Sequence, residues 1–299
     1  MACHVRHSSL GNVRDPFDSG SVSAALVTSD RPWRGVEFHP ALGSTNTRLR
    51  ELLATEPGAY AAGPGEPPSG LWWVVTTDHQ TGGRGRLGRA WTVPDRASLA
   101  VSVAVPVSDR TQAGWMPLLA GLALSRAVRE VSAAAGHELT PRLKWPNDVL
   151  LADDGDRKVS GILCELVTVG GAHAVVVGTG VNVDQTRDEL PVDTATSLVL
   201  SGATVRREDL LVSYLDHLVA VLPGAGPRGG AEAARTAYRE ACSTIGARVR
   251  VDLPGGGAAE GTATAVDDDG ALVVSTEQAL RSFAAGDVVH VRRAGAGLA

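Results

Sequence analysis

Apolar and polar positions along the chain fall into two textures. "LWWVVTTDHQ" and "SLAVSVAVPV" are short, compact apolar runs bounded by turn residues, a pattern that predicts buried strands. "GVEFHPALGSTN" predicts a strand, a turn and a helix from Thr45 to Leu53, with Ser44 or Thr45 as N-cap. "EPGAYAAGPGEPPSG" reads as a Pro/Gly loop. Over residues 112–135, Trp115, Leu118, Leu119, Leu122 and Val128 share one helical stripe. "RLKW" and "VLLA" predict short strands on either side of Pro146-Asn147-Asp148. "KVSGILCELVTV" and "AHAVVVGTGVNV" predict a hairpin across "GGA". Helices follow near 207–221 and 230–243. The strands run mostly in succession rather than alternating with helices, so the expected sheet is mixed or antiparallel.

From Ile245 the texture changes. "ARVRVDL", "GTATAVDDDGALVVST" and "ALRSFAAGDVVHVR" read as short strands with Gly/Asp turns, the look of a small barrel. At the other end, residues 1 to about 33 are rich in Ser, Asp, Arg and Gly and lack periodicity. The expected division is a flexible leader at 1–35, an α/β domain at 36–243 and a small β domain at 245–293. The leader is too short for a winged-helix DNA-binding domain.

Composition narrows the function classes. The 299 residues are 43% hydrophobic and 20% charged, an ordinary globular balance. A net charge of -5 argues against a general nucleic-acid surface but leaves room for a local basic site. Cys3, Cys164 and Cys242 are far apart and offer neither a disulfide framework nor a CxxC pair. The first residues have no apolar signal region, and no apolar run approaches about 20 residues, so the expectation is a cytoplasmic chain with no membrane span. The eight histidines are scattered without metal-ligand spacing, so no zinc site is expected and metal ligands stay open.

Of 28 basic residues, only Lys144 and Lys158 are lysine. A lysine retained in so arginine-biased a chain marks a place that wants a compact, freely rotating charge. Against the acidic background, "TGGRGRLGRAW" gathers Arg84, Arg86 and Arg89 on a glycine tether. Glycines at 82, 83, 85 and 88 let the backbone close on a ligand, and arginines supply forks for carboxylate or phosphate. There is no GxxxxGK[ST], so this is not a P-loop. A solvated loop and an RGG-like RNA contact are the competing readings of the loop alone. Trp91, at its end, reads as core or as a stacking surface for a base. In "KWPND", Pro146 fixes a turn from which Asn147 and Asp148 project; a plain β-turn is the alternative. Gly161 follows Lys158 by three and allows close approach, while Glu165 reads as a structural or solvent-facing group. "GTGVNV" places Asn182 at a strand tip.

Together, "GSTN", "QTGGRGRLGRAW", "KWPND", "KVSGILCE" and "GTGVNV", in this order, resemble the biotin–protein ligase family, also called biotin–[acetyl-CoA-carboxylase] ligases, over roughly residues 36–293. The resemblance implies an α+β fold: a class II synthetase-like mixed sheet with flanking helices, followed by a small SH3-like β-barrel. It implies activation of biotin by ATP with Mg²⁺ to biotinyl-5′-AMP, then transfer to a lysine of a biotin carboxyl carrier domain. Lys158 and Arg86 would be catalytic. Ser44, Thr45, Asn46, Gln80, Gly83, Arg84, Gly85, Arg86, Lys158 and Gly161 match biotin-binding positions. Arg84, Arg86, Arg89, Trp91, Asn147, Lys158 and Asn182 match ATP-binding positions, with Asp148 and Lys144 supporting them. The short leader implies no DNA partner, and the family allows a monomer or weak homodimer. Lipoate–protein ligases share the fold and an equivalent lysine and are the nearest alternative; a non-catalytic binding module is a further one.

Overall fold

The computed structural model describes residues 14–55, 72–107, 110–169, 171–222, 230–253 and 256–291. The predicted loop at 56–70 lies outside them. The described elements begin with helix α1 (Ser19–Leu26), strand β1 (Gly35–Leu42) and helix α2 (Thr45–Thr55). Strand β2 (Trp73–Gln80) leads to a miniature hairpin of β3 (Gly83–Arg84) and β4 (Ala90–Trp91), then to β5 (Ser98–Val107) and helix α3 (Met116–Ala134). Four strands follow, β6 (Pro141–Lys144), β7 (Asp148–Leu151), β8 (Arg157–Val169) and β9 (Ala172–Asn182), then helices α4 (Arg207–Val221) and α5 (Gly230–Ala241). Strands β10 (Arg248–Asp252), β11 (Ala258–Val266), β12 (Leu272–Ser275), β13 (Leu280–Phe283) and β14 (Asp287–His290) are the last of the described elements.

Seven strands form one sheet in the order β1-β2-β5-β9-β8-β7-β6. Among the described residues only β1 and β2 of this sheet run parallel; every other pair in it is antiparallel. The sheet is mixed, as the succession of strands predicted. Strand β5 is buried along almost its whole length, which is why its sequence reads as a continuous apolar run. One face packs α3 and α4 over a large core containing Leu119, Val128, Val177 and Leu215. On the other face α2 covers a smaller patch, with Leu49 and Leu53 on Val75, Ala104 and Val176. Beyond that patch, the Trp91 side chain rather than a helix lies against this face, next to Gly161 and Gly180.

The C-terminal strands form an antiparallel sheet in the order β13-β12-β11-β10-β14. Among the described residues its pairing does not close into a barrel, so the expected barrel appears as a small antiparallel sheet. Two tryptophans fasten it: Trp145 Nε1 donates to the Gly270 carbonyl at 3.0 Å, and Trp115 Nε1 to that of Asp268 at 2.7 Å. A buried indole N–H needs such a partner.

The expected flexible leader is corrected from Arg14 onward; residues 1–13 lie outside the description. Phe17 is buried and stacks on Phe38 at 5.5 Å. Arg14 pairs with Asp184 and Glu189, each at 2.6 Å. Asp78, nearly inaccessible, pairs with Arg207 at 2.7 Å, and Arg207 also donates to the Asp15 carbonyl at 2.8 Å. Helix α1 buries only Val22 and Leu26, too few for a periodic signal. Its anchors are charged partners far along the chain.

Candidate active site

The sheet's register assembles the site. Because β1 and β2 are parallel, their C-terminal ends emerge side by side, so "GSTN" and the arginine loop begin next to each other. The Gly82 N–H donates to the Gly43 carbonyl at 2.7 Å, joining the two turns. Across the sheet, paired positions form one row: Thr77, Ala100, Gly180, Gly161, Asp148 and Lys144. Residues directly opposite in neighbouring strands share a face. The row therefore makes a floor of small residues that ends in a carboxylate and an ammonium.

Lys158 reaches this floor through a bulge. It lies three residues from Gly161, a step that simple alternation would send to the opposite face. The register between β7 and β8 shifts between Val149 and Leu150, so Leu150 pairs with Lys158 while Asp148 pairs with Gly161. An extra residue in one strand re-aims the side chains beyond it. Lys158 Nζ is then 2.6 Å from Asp148 Oδ1. A Cβ added at Gly161 would lie 3.1 Å from that same Nζ. Gly161 thus leaves the lysine room to lie close over the strand.

The arginine loop folds onto the floor by its last residue. Trp91 spreads across two strands: a Cβ on Gly180 would come within 2.7 Å of its Cε2, and one on Gly161 within 3.6 Å of its Cζ3. Its Nε1 is buried without a hydrogen-bond partner among the described residues. Gly83 is required for proximity, since a Cβ there would meet the Trp91 backbone oxygen at 2.5 Å; positive φ is found at Gly88 (74°) and, unusually, at Leu87 (56°).

The three arginines do not act alike. Arg86 is partly buried and donates to Asn147 Oδ1 at 3.3 Å. Burial lowers its guanidinium below the ordinary value, opposed by the charge of Asp148 and reinforced by Arg89. Arg84 is exposed. Arg89 leaves the floor to pair with Asp287 of β14. Lys144 is also lowered, first by burial, with Asp148 opposing and Lys158 and Arg89 adding to the effect. The floor thus carries Lys158, Lys144 and Arg86 around one carboxylate, an excess of positive charge that suits an anionic ligand.

The remaining predicted residues are held largely by the protein's own hydrogen bonds. Ser44 caps α2, its Oγ 3.4 Å from the Thr47 N–H. Thr45 N–H donates to Gln80 Oε1 at 3.0 Å. Asn147 Nδ2 donates to the Ile162 carbonyl at 2.8 Å, tying "KWPND" to β8. Gly85 sits in the loop, its N–H on the Arg89 carbonyl at 2.7 Å. Asn182 is buried with its amide engaged inside the protein: Nδ2 donates to the Thr196 carbonyl at 2.8 Å and Oδ1 accepts from Gln185 at 2.9 Å. Sequence reasoning missed Ser102, Asp287 and the placement of Glu165 against Asn46. A serine in the middle of a strand as apolar as "SLAVSVAVPV" was the available signal. Among the described residues no group of three or more His, Cys, Asp or Glu is placed to hold a metal ion.

The site thus joins a sheet with one unevenly covered face, a row of small residues, two lysines and a glycine-rich arginine loop. The Biotin/lipoate A/B protein ligase family matches residues 67–182, and the Biotin protein ligase C terminal domain matches residues 244–291. The chain is 38% identical over 285 residues to the biotin–[acetyl-CoA-carboxylase] ligase of Mycobacterium tuberculosis, covering 94% of this chain and 98% of that protein. It is also similar to the bifunctional ligase/repressor BirA of Escherichia coli, at 30% identity over 187 residues and 52% of that protein's length. The structure of the Aquifex aeolicus biotin protein ligase in complex with biotin and ATP superposes with a TM-score of 0.65, at 25% identity, covering 87% of this chain and all of that one. The chain belongs to the biotin protein ligase family. The lipoate alternative has less support: relatives at 38% and 37% identity are biotin–[acetyl-CoA-carboxylase] ligases.

Proposed function

We propose that the glycine floor binds biotin and ATP and that Lys158, with Arg86, joins them. A carboxylate attacking a triphosphate must overcome repulsion between like charges, so fixed cations at the meeting point stabilise the transition state. The observation that carries this reading is the convergence of Lys158, Lys144 and Arg86 on Gly161, Gly180 and Asp148. Biotin's carboxylate oxygen attacks the α-phosphorus of ATP and pyrophosphate leaves, giving biotinyl-5′-AMP. The acceptor lysine's amine then attacks the acyl carbon, forming an amide and releasing AMP. Lys158 Nζ can contact charged oxygens in both steps. Trp91 supplies a flat surface for the adenine once the indole lifts from the floor, and its unpartnered Nε1 gives it little to lose in moving.

The arginine loop acts as the lid. Closing it over a reactive anhydride excludes water and slows escape. Thr45, Asn46 and Gln80 serve the polar ring of biotin, because its buried polar atoms need partners. Arg84, exposed on the lid, is available to the phosphates. Mg²⁺ belongs to this reading as the companion of the ATP phosphates, a role in which one or two carboxylates suffice, and Asp148 is the carboxylate at hand.

In the same reading residues 36–243 are catalytic and 245–293 support them. The acceptor is a biotin carboxyl carrier domain of acetyl-CoA carboxylase or a related carboxylase, the setting is cytoplasmic, and the chain acts as a monomer or weak homodimer without binding DNA. No helix among the described residues is long and apolar enough to cross a membrane. The decisive experiment is biotin-dependent pyrophosphate–ATP exchange with the pure protein and Mg²⁺. Exchange with biotin but not lipoate supports the reading; no exchange with biotin ends it.

A further inference from the structure

Asn46, in the first turn of α2, lies against Gly178, where an added Cβ would overlap its Oδ1. Both ends of its amide are held. Oδ1 is 2.6 Å from the Ser102 hydroxyl. Nδ2 donates to Glu165 Oε2 at 2.7 Å and to the Leu163 carbonyl at 3.3 Å. The other carboxylate oxygen of Glu165 pairs with Arg50 at 2.8 Å. The Ser102 hydroxyl is also 2.7 Å from that of Thr45, whose backbone N–H donates to Gln80 Oε1 at 3.0 Å.

Proton counting fixes the direction of the bonds around the Asn46 amide. Glu165 and the Leu163 carbonyl can only accept, so the amide's NH₂ must face them and its oxygen must face Ser102. That oxygen has no proton, so Ser102 donates to it. The single proton of Ser102 is then engaged, and the Thr45 hydroxyl can direct its own proton to Ser102 or to Gln80 Oε1, 3.2 Å away. Gln80 Oε1 accepts from Thr45, which leaves Gln80 Nε2 on the side of Gly83. With both Nδ2 hydrogens held by the protein, Asn46 has only an acceptor lone pair of Oδ1 left to offer, beside Gly178.

We propose that Glu165 and Ser102 are positioning residues that lock the Asn46 amide in this acceptor orientation and so tune the site for a ring bearing N–H groups. The proposal rests on the assignment of the floor to biotin. A cyclic urea carries two N–H donors and can meet such an acceptor; a dithiolane ring carries none and would leave it unpaired. A site built around a hydrogen bond discriminates strongly against a ligand that lacks it. Glu165, which reads from sequence as structural or solvent-facing, thereby acts on ligand choice through Asn46.

The test is calorimetric titration of biotin into the full chain and into its variants. Ser102→Ala and Glu165→Ala each weaken biotin binding by about tenfold, while KM for ATP stays within about twofold, the pattern of one lost hydrogen bond on the biotin side alone. Glu165→Gln recovers most of the affinity, because its carbonyl oxygen can accept the same Asn46 N–H. In an Asn46→Ala background, Ser102→Ala and Glu165→Ala have no further effect, since a residue acting through Asn46 has nothing left to position. Losses that add in full on top of Asn46→Ala overturn the proposal, as does unchanged affinity in Glu165→Ala. The half-buried Glu165 carries the test if Ser102→Ala fails to fold. A wild-type protein that does not bind biotin would instead remove the assignment beneath it.

Discussion

Replacing Lys158 with glutamine probes the electrostatic core of the site. The side chain keeps a similar length and can still hydrogen-bond, so the charge is the main loss. Lys158 Nζ lies 2.6 Å from Asp148 Oδ1 and over Gly161, and it is partly exposed. A unit charge near 4 Å from a phosphate, at an effective dielectric of about 20, contributes roughly 4 kcal/mol. At about 1.4 kcal/mol per factor of ten, its loss slows adenylation by about a thousandfold. Asp148 loses its partner in the same change and repels the incoming anions, which pushes in the same direction. Adding Asp148→Asn to Lys158→Gln removes that repulsion and recovers roughly tenfold, by the same Coulomb reasoning weakened by solvent. Lys158→Arg keeps the charge but must fit a planar fork between Asp148 and the Trp91 indole, so it does not restore the rate. Pyrophosphate–ATP exchange reads the first step, and single-turnover transfer from synthetic biotinyl-5′-AMP reads the second. Both fall, because charged oxygens are present in each. A Lys158→Gln rate within tenfold of wild type, or a loss confined to KM for biotin, would refute the reasoning.

Arg86→Gly still forms the adenylate but releases it, labelling bystander lysines above the wild-type level; streptavidin blots of a mixed protein sample check this, and equal labelling sinks the lid account. Gly180→Ala raises the floor into the indole and the ligand, weakening biotin binding by roughly 10- to 100-fold, the range of local overpacking, with little change in Tm because the lid can yield. Asp78→Ala strands the buried Arg207, which costs about 3–5 kcal/mol, or a fall in Tm of about 10 °C by calorimetry; a shift under about 2 °C would make the N-terminal anchor ornamental. Burial, with Lys144 adding and Asp156 opposing, holds His290 below its ordinary value of 6.5. The unfolded chain then binds more protons, so stability falls as pH drops from about 6.5 through the folded value. In His290→Gln that part of the slope in denaturant midpoint against pH is absent.

Much of the site is legible in the chain. The glycine and arginine spacing, the two retained lysines and "KWPND" specify chemistry through residue type, and no folding is needed to see that an acidic chain has concentrated cations there. The strands and long helices are legible for a related reason: burial imposes periodicity on the sequence itself. The short helix α1 carries no such period, so Phe17, Arg14 and Asp78 could be joined only in three dimensions.

Sequence by itself determined which side chains are available: three arginines on a glycine-rich loop, two lysines, an Asn and Gln set, and glycines in the strands. Tertiary structure decided what each faces. A parallel β1–β2 pair set "GSTN" beside the lid, and one bulge turned Lys158 onto the face of Gly161. Arg89 went to Asp287 while Arg86 stayed over the floor, although the two lie on the same short loop. Ser102 and Glu165 gained their part only by meeting Asn46. The physical reason is that residue chemistry is local, whereas register and strand pairing are set by burying the whole sheet.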